Sequence, residues 1–177
     1  MEVAKVWVDE ELVQSSEFGV RDQAPLLNTP DSSLRTLLTT AALCNNARFA
    51  DSQYRGDPTE TALLKAAREA LGEIPAQRLF EIPFDADRKM MTIGSMREGK
   101  AAAFSKGAME KILPLCSHIM IKGERKPLED VNRDDIIHAD HTLMDLGLRV
   151  LAFASKDIQH LASPPLEGEG GVGGQHS

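Results

Sequence analysis

The sequence predicts a mixed α/β domain of the α+β type, a mostly antiparallel sheet with helices in pairs on its faces. Three observations predict it. Between Gln77 and Leu128 the apolar residues fall in short runs separated by tight turns, the pattern of strands joined by hairpins. On either side lie windows with apolar residues at helical spacing. The chain has 177 residues, 42% of them apolar, which suits one domain burying on the order of 70% of its unfolded surface without staples.

Val3, Val6 and Val8 around Trp7 predict a short opening strand, and the polar, turn-rich stretch Gln14 to Pro30 predicts a loop. Asp31 is placed to cap a helix running to about Asn45, with Leu34, Leu37, Leu38, Ala41 and Ala42 on one side. A second helix carries a complete start signal: Asp57 as cap, Pro58 at the first helical position and Glu60 three residues after the cap, with Gly72 as its stop. Its face of Ala62, Leu63, Ala66, Ala67, Ala70 and Leu71 is narrow, which predicts close packing on a sheet. Strands follow at Leu79–Phe84, Met90–Met96 and Ala101–Ser105, the last two joined by the turn Arg97-Glu98-Gly99-Lys100. A short helix is predicted from Gly107 to Leu115, then a strand Ser117–Ile121 that returns across Gly123 as Glu124–Leu128. The segment Asp130–Leu146 has a helical face of Ile136, Ala139, Leu143 and Leu146 ended by Gly147, and Leu148–Ser155 reads as the final strand.

The folded domain is thus expected over residues 1–157. Residues 158–177, with Pro164, Pro165 and five of the 13 glycines between Gly168 and Gly174, are expected to form a disordered tail. Gly168, Gly170 and Gly173 spell a dinucleotide-binding pattern there, but with prolines before it and no room for a helix after it, the tail reading prevails.

Twenty Lys and Arg against 27 Asp and Glu give a net charge of −7, which argues against a nucleic acid partner. Two cysteines, Cys44 and Cys116, are too few and too far apart for a disulfide framework or a thiolate zinc site, and read as buried thiols in a reducing compartment. No run of about 18 apolar residues exists, so these residues are expected to make no direct membrane contact, although they suit one piece of a larger membrane protein.

The common catalytic signatures are absent: no phosphate loop, no H-E-x-x-H, no G-x-S-x-G elbow and no Cys-x-x-Cys. Asp134, His138, His141 and Asp145 share one side of the long helix, but opposite its apolar face, where a solvated polar stripe is the default; no metal site is expected. Asp85-Ala86-Asp87 stands at a strand end, where such a pair can serve magnesium-dependent phosphoryl transfer, but Arg88-Lys89 follows in place of small residues, and a charged turn is the plainer reading. More informative is the set Phe84, Lys89, Met91 and Lys106 on neighbouring strands, with Gly107 at the junction to a helix. An aromatic ring, an adaptable methionine, two cations and a glycine suit a planar base carrying polyphosphate.

At these residues a resemblance emerges. Gly56-Asp57-Pro58-Thr59-Glu60-Thr61-Ala62-Leu63, Phe84-Asp85-Ala86-Asp87-Arg88-Lys89-Met90-Met91, Phe104-Ser105-Lys106-Gly107-Ala108 and Gly147-Leu148-Arg149-Val150-Leu151 occur in order, and each resembles a motif of the nucleotide-binding domain of P-type cation-transporting ATPases. Ala42-Leu43-Cys44-Asn45 and Leu115-Cys116-Ser117-His118 add smaller pieces. The resemblance implies a domain that holds ATP, as Mg-ATP in the complete pump, for delivery to an aspartate of a separate phosphorylation domain. It implies that Phe84 stacks on adenine, that Lys106 lies along the base, that Glu60 meets the polar edge of adenine with Thr59 beside it, and that Lys89 and Met91 line the pocket; Gly107, on the reading of the residues themselves, lets the ligand approach the backbone. Arg149 would lean toward the phosphates and Leu151 would pack near the base or ribose.

Where calcium pumps of the animal reticulum carry an arginine two residues after the stacking phenylalanine, this chain has Ala86. The run Asp87-Arg88-Lys89 is otherwise more similar to calcium-type and related bacterial type II pumps than to sodium/potassium or proton pumps. The family's Asp-Lys-Thr-Gly-Thr, Thr-Gly-Glu and Gly-Asp-Gly segments and its membrane helices are missing. The expectation is therefore a nucleotide-binding segment, on the cytoplasmic side of a multi-pass protein, whose partners are ATP and the phosphorylation and actuator domains, and which does not turn over alone. A magnesium-dependent phosphatase using Asp85 and Asp87, or a non-catalytic protein-interaction domain, are the alternatives.

Overall fold

The computed structural model describes residues 1–14 and 33–158. Most of the expected loop, the Asp31 cap and the glycine-rich tail lie outside the described residues.

The chain begins with a hairpin, β1 (Lys5–Val8) and β2 (Glu11–Gln14). Helix α1 (Ser33–Leu43) leads to a second small hairpin, β3 (Arg48–Ala50) and β4 (Gln53–Arg55), and then to α2 (Pro58–Leu71). Three long strands follow, β5 (Gln77–Asp85), β6 (Met90–Arg97) and β7 (Lys100–Gly107). A short α3 (Met109–Ile112) runs into a single 3-10 turn at Leu113–Leu115, and β8 (His118–Ile121) pairs with β9 (Glu124–Pro127). Helix α4 (Asp130–Asp145) and β10 (Ala152–Asp157) complete the described chain. The central sheet has the order β10-β7-β6-β5, with every pairing antiparallel, so β5 is an edge.

The start signal of α2 is realised in full: Asp57 Oδ1 accepts from the N–H groups of Thr59 (2.8 Å) and Glu60 (3.3 Å), and Pro58 occupies a position that needs no donor. The stop of α4 is a Schellman closure. Leu148 N–H donates to the Leu143 carbonyl and Gly147 N–H to that of Met144, with Gly147 at φ 74°.

Several boundaries differ from expectation for identifiable reasons. The opening strand is half of a hairpin, and β3–β4 is a hairpin where none is expected. Their turns, Asp9-Glu10 and Asp51-Ser52, have positive φ at both residues without a glycine to announce it. Gly107 ends β7 rather than starting a helix. The last strand begins at Ala152, because the chain must first leave the α4 closure through residues 148–151. Leu146, beyond the last turn of α4, is 55% exposed rather than part of its apolar face.

The small-residue face of α2 meets α1 and the opening hairpin rather than the sheet: Ala67 is fully buried in a cluster with Val8, Val13, Leu34 and Leu38. A second cluster, Cys44, Met91 and Ile93 with Phe104 against it, joins the end of α1 to the sheet. Cys116 is only half-buried, its Sγ donating to the Ile112 carbonyl at 3.4 Å.

Candidate functional site

Lys106 sits near the end of β7, opposite Met91 on β6 and Phe153 on β10. It is 7% exposed, and its ammonium donates to Glu60 Oε1 at 2.7 Å. Glu60 is the third residue of α2, and its backbone N–H already serves the Asp57 cap. Its carboxylate turns to Lys106 and also accepts the N–H of Asn46 at 3.3 Å. A charged pair with side chains 9% and 15% exposed has lost most of its water, so the second donor to Glu60 helps offset the desolvation.

Around this pair the polar contacts continue. Asn45 Nδ2 donates to the carbonyls of Ala41 (3.1 Å) and Glu60 (2.9 Å), tying the end of α1 to the start of α2. Asn46 Nδ2 donates to Glu81 Oε1 at 2.8 Å, and Arg78 donates to Asn46 Oδ1 (2.7 Å), Glu81 Oε2 (3.0 Å) and the Asn45 carbonyl (2.6 Å). Two helices and the edge strand are thereby fixed around the Glu60 carboxylate. Cys44 is wholly buried beside them, with Sγ 3.7 Å from the Met91 carbonyl; burial pushes its thiol up to about 11 despite the charge of Lys106. It is an inert thiol at neutral pH.

Phe84 is 61% exposed on the edge strand. Ile82 opposes Thr92 while Asp85 opposes Met90, three steps against two, so a bulge interrupts the strand around Pro83 and Phe84. Its effect is on facing. Because side chains alternate, the bulge moves Phe84 from the side of Ile82 and Thr92 to the side of Met91, the side on which Lys106 opposes Met91. Pro83 is tolerated because an edge strand spares one donor.

Met91 is 4% exposed and belongs to the core beneath Lys106. Lys89 is exposed in the β5–β6 turn, with φ 51° and its ammonium 3.0 Å from Glu110 Oε1. At Gly107 an added Cβ would stand 2.4 Å from the Lys89 carbonyl oxygen and 2.5 Å from the Met90 Cβ, so the glycine is required by the turn itself. Arg149 and Leu151 lie on the connector before β10, Arg149 exposed and Leu151 half-buried. The Asp57 carboxyl is held below its usual range first by the N–H of Thr59, with the Arg149 guanidinium a smaller contributor.

Glu60, Met91 and Lys106 are thus drawn together, Phe84 and Lys89 occupy the same end of the sheet, and Arg149 lies toward the start of α2. The polar bracket of Asn45, Asn46, Arg78 and Glu81 was absent from the sequence reading. The signal was opposite charges three residues apart, Arg78 and Glu81, among the apolar residues of β5.

Elsewhere the structure is less suggestive. Asp85 Oδ1 accepts from the N–H groups of Asp87 (3.0 Å) and Arg88 (2.8 Å), the bonding of a turn closed by its own first residue. Asp134, His138, His141 and Asp145 are all exposed, and no group of three or more metal-ligating side chains occurs among the described residues. A cleft of about 410 Å³ lined by Gly99, Lys100, Ala101, Asp157 and Ile158 opens at the far end of the sheet from Lys106.

An antiparallel sheet with a buried Lys–Glu pair at one end, bracketed by the junction of two helices, defines the class: an α/β domain whose polar centre is built between sheet and helices. The chain belongs to the family described as P-type ATPase, cytoplasmic domain N, whose model matches residues 33–169. It is 37% identical over 153 residues to calcium-transporting ATPase 1 of Bacillus cereus (strain ATCC 10987 / NRS 248), covering 79% of this chain and 17% of that protein. It is 32% identical over 174 residues to the sodium/potassium-transporting ATPase subunit alpha of Hydra vulgaris, covering 86% and 16%. With the potassium-transporting ATPase alpha chain 2 of Rattus norvegicus the identity is 33% over 173 residues, again covering 86% and 16%. The chain spans about one sixth of the length of these relatives. No helix among the described residues is long and apolar enough to cross a membrane.

Proposed function

We propose that residues 1–157 form the ATP-holding domain of a P-type cation pump, with residues 158–177 as a tail. The observation that carries this reading is Phe84, a large aromatic left 61% exposed, turned by a bulge to the side of the sheet that bears the Lys106–Glu60 pair. Adenine stacks on Phe84, worth about 1 to 3 kcal/mol for one base on one ring. Glu60 and Lys106 present an acceptor and a donor to its polar edge. Met91 supports the floor from within the core, Gly107 keeps the turn close, and Leu151 contributes apolar surface near the ribose. The triphosphate runs outward toward Lys89 and Arg149, where Mg-ATP in the complete pump would carry the metal.

Binding of this kind positions ATP rather than cleaving it. The acceptor aspartate belongs to a phosphorylation domain outside these residues, and that domain, with the actuator domain, is the natural partner on the cytoplasmic side of the membrane. With the phosphates exposed and one stacking ring, affinity is on the order of submillimolar to millimolar.

Backbone amide shifts followed through an ATP titration test the reading. Residues 84–91 and 104–107 should shift together, and Phe84→Ala should weaken binding roughly tenfold or more. Saturating ATP with no shift in either segment would sink the assignment.

A further inference from the structure

The backbone of the turn that carries Lys89 is held at several points. Lys89 N–H donates to the Asp85 carbonyl at 2.7 Å, and its own carbonyl accepts the Ala108 N–H at 3.0 Å. The absent side chain of Gly107 is what admits that carbonyl. The backbone is also in the left-handed region, φ 51°, where a glycine or asparagine is at ease and a lysine is strained by about 1 kcal/mol.

Its ammonium rests on Glu110 Oε1 at 3.0 Å, and the two side chains are 54% and 55% exposed. Glu110 lies in α3, directly beyond the Lys106-Gly107-Ala108 segment. Exposed pairs of this kind are weak and exchange readily. Lys106 offers no such freedom, since it is buried against Glu60.

Resting on the ATP-holding assignment above, we infer that Glu110 is a resident competitor for the phosphate-binding lysine: its carboxylate holds Lys89 in the empty domain and must be displaced by the nucleotide's phosphate oxygens. The consequence is a built-in discount on polyphosphate affinity that leaves recognition of the base untouched. The exchange is one of hydrogen-bond partners, with no bond made or broken. Removing Glu110 frees the lysine in advance, and only ligands with phosphates gain.

The test is a set of titrations of the whole chain with ATP and with adenosine, for the wild type, Glu110→Gln, Lys89→Met and the double variant. Both sites are on the surface, and thermal midpoints confirm that the variants fold. Glu110→Gln should tighten ATP roughly two- to fivefold, the scale of an exposed ion pair, and leave adenosine unchanged. Lys89→Met should weaken ATP and spare adenosine, and in that background Glu110→Gln should have no further effect. The inference is overturned if Glu110→Gln matches the wild type for ATP. It is equally overturned if the tightening persists without Lys89, because Glu110 would then act only as a nearby negative charge. Failure of the site itself is a separate result: wild-type chain showing no shifts at residues 84–91 and 104–107 with either ligand.

Discussion

Two lysine–glutamate pairs stand at one end of the same sheet. Lys106–Glu60 is 2.7 Å long with side chains 9% and 15% exposed; Lys89–Glu110 is 3.0 Å long with side chains 54% and 55% exposed. The chemistry is the same and the distances nearly so. Water makes the difference. The first pair has given up its hydration and depends on Asn46 and the bracket behind it, so neither partner can leave without stranding a charge. The second keeps most of its hydration, and either member can change partners at little cost. One pair is built as part of the scaffold and the other as a contact that can be exchanged.

The largest test of that contrast is to remove one partner from the buried pair. Lys106→Met should lower unfolding stability by about 3 kcal/mol, because Glu60 is left with an uncompensated buried carboxylate. Glu60→Gln removes the opposing charge instead and should cost a similar amount, both read by chemical denaturation. A denaturation midpoint for Lys106→Met equal to that of the wild type would erase the distinction between the pairs.

Next in size is the thiol beneath Lys106. The unfolded chain releases the Cys44 proton near the ordinary value of 9.0, whereas the folded chain holds it to about 11. Between those values the native state binds more protons, so stability falls as pH rises, by on the order of 2 kcal/mol over the window. Cys44→Ala should lose that part of the alkaline slope, whatever its cost at neutral pH. An unchanged slope from pH 9 to 11 would mean that the region is wetter than its packing implies.

Asp57 sharpens the comparison from another side, as an exposed carboxylate stabilised by backbone N–H groups instead of a lysine. Asp57→Ala should cost about 1 kcal/mol. With the folded-state carboxyl below its usual range, its contribution is present above that range and disappears as pH falls through the depressed value. An acid titration of stability should therefore show a shallower decline for Asp57→Ala than for the wild type. Smallest of all, Lys89→Met and Glu110→Gln should leave the denaturation midpoint where it is, and reveal themselves only against a phosphate-bearing ligand.

How much of this was legible in the sequence varied with the range of the signal. The start of α2 was read residue by residue because Asp57, Pro58 and Glu60 act within one turn. The Glu98-Gly99 and Lys122-Gly123 hairpins were announced by glycine, while Asp9-Glu10 and Asp51-Ser52 adopt the same positive φ without it and were missed. At Gly107 the absent side chain leaves room for the Lys89 carbonyl and for Met90, a demand made by the neighbouring turn and strand that the local pattern does not carry. Arg78, Asn46 and Glu81 were invisible as a group, since 32 positions separate Arg78 from Asn46 and only folding brings them together.

The sequence alone determined the mixed fold class, the long helices, the sheet-forming segment and, through four ordered motifs, the family. Those depend on local periodicity, caps and short patterns that survive in one dimension. The tertiary structure decided which charges are buried, that the Glu60 carboxylate turns to Lys106, and that a bulge turns Phe84 to the side of Met91. Burial and strand register are properties of neighbours distant in the chain, and no local pattern encodes how much water a side chain keeps.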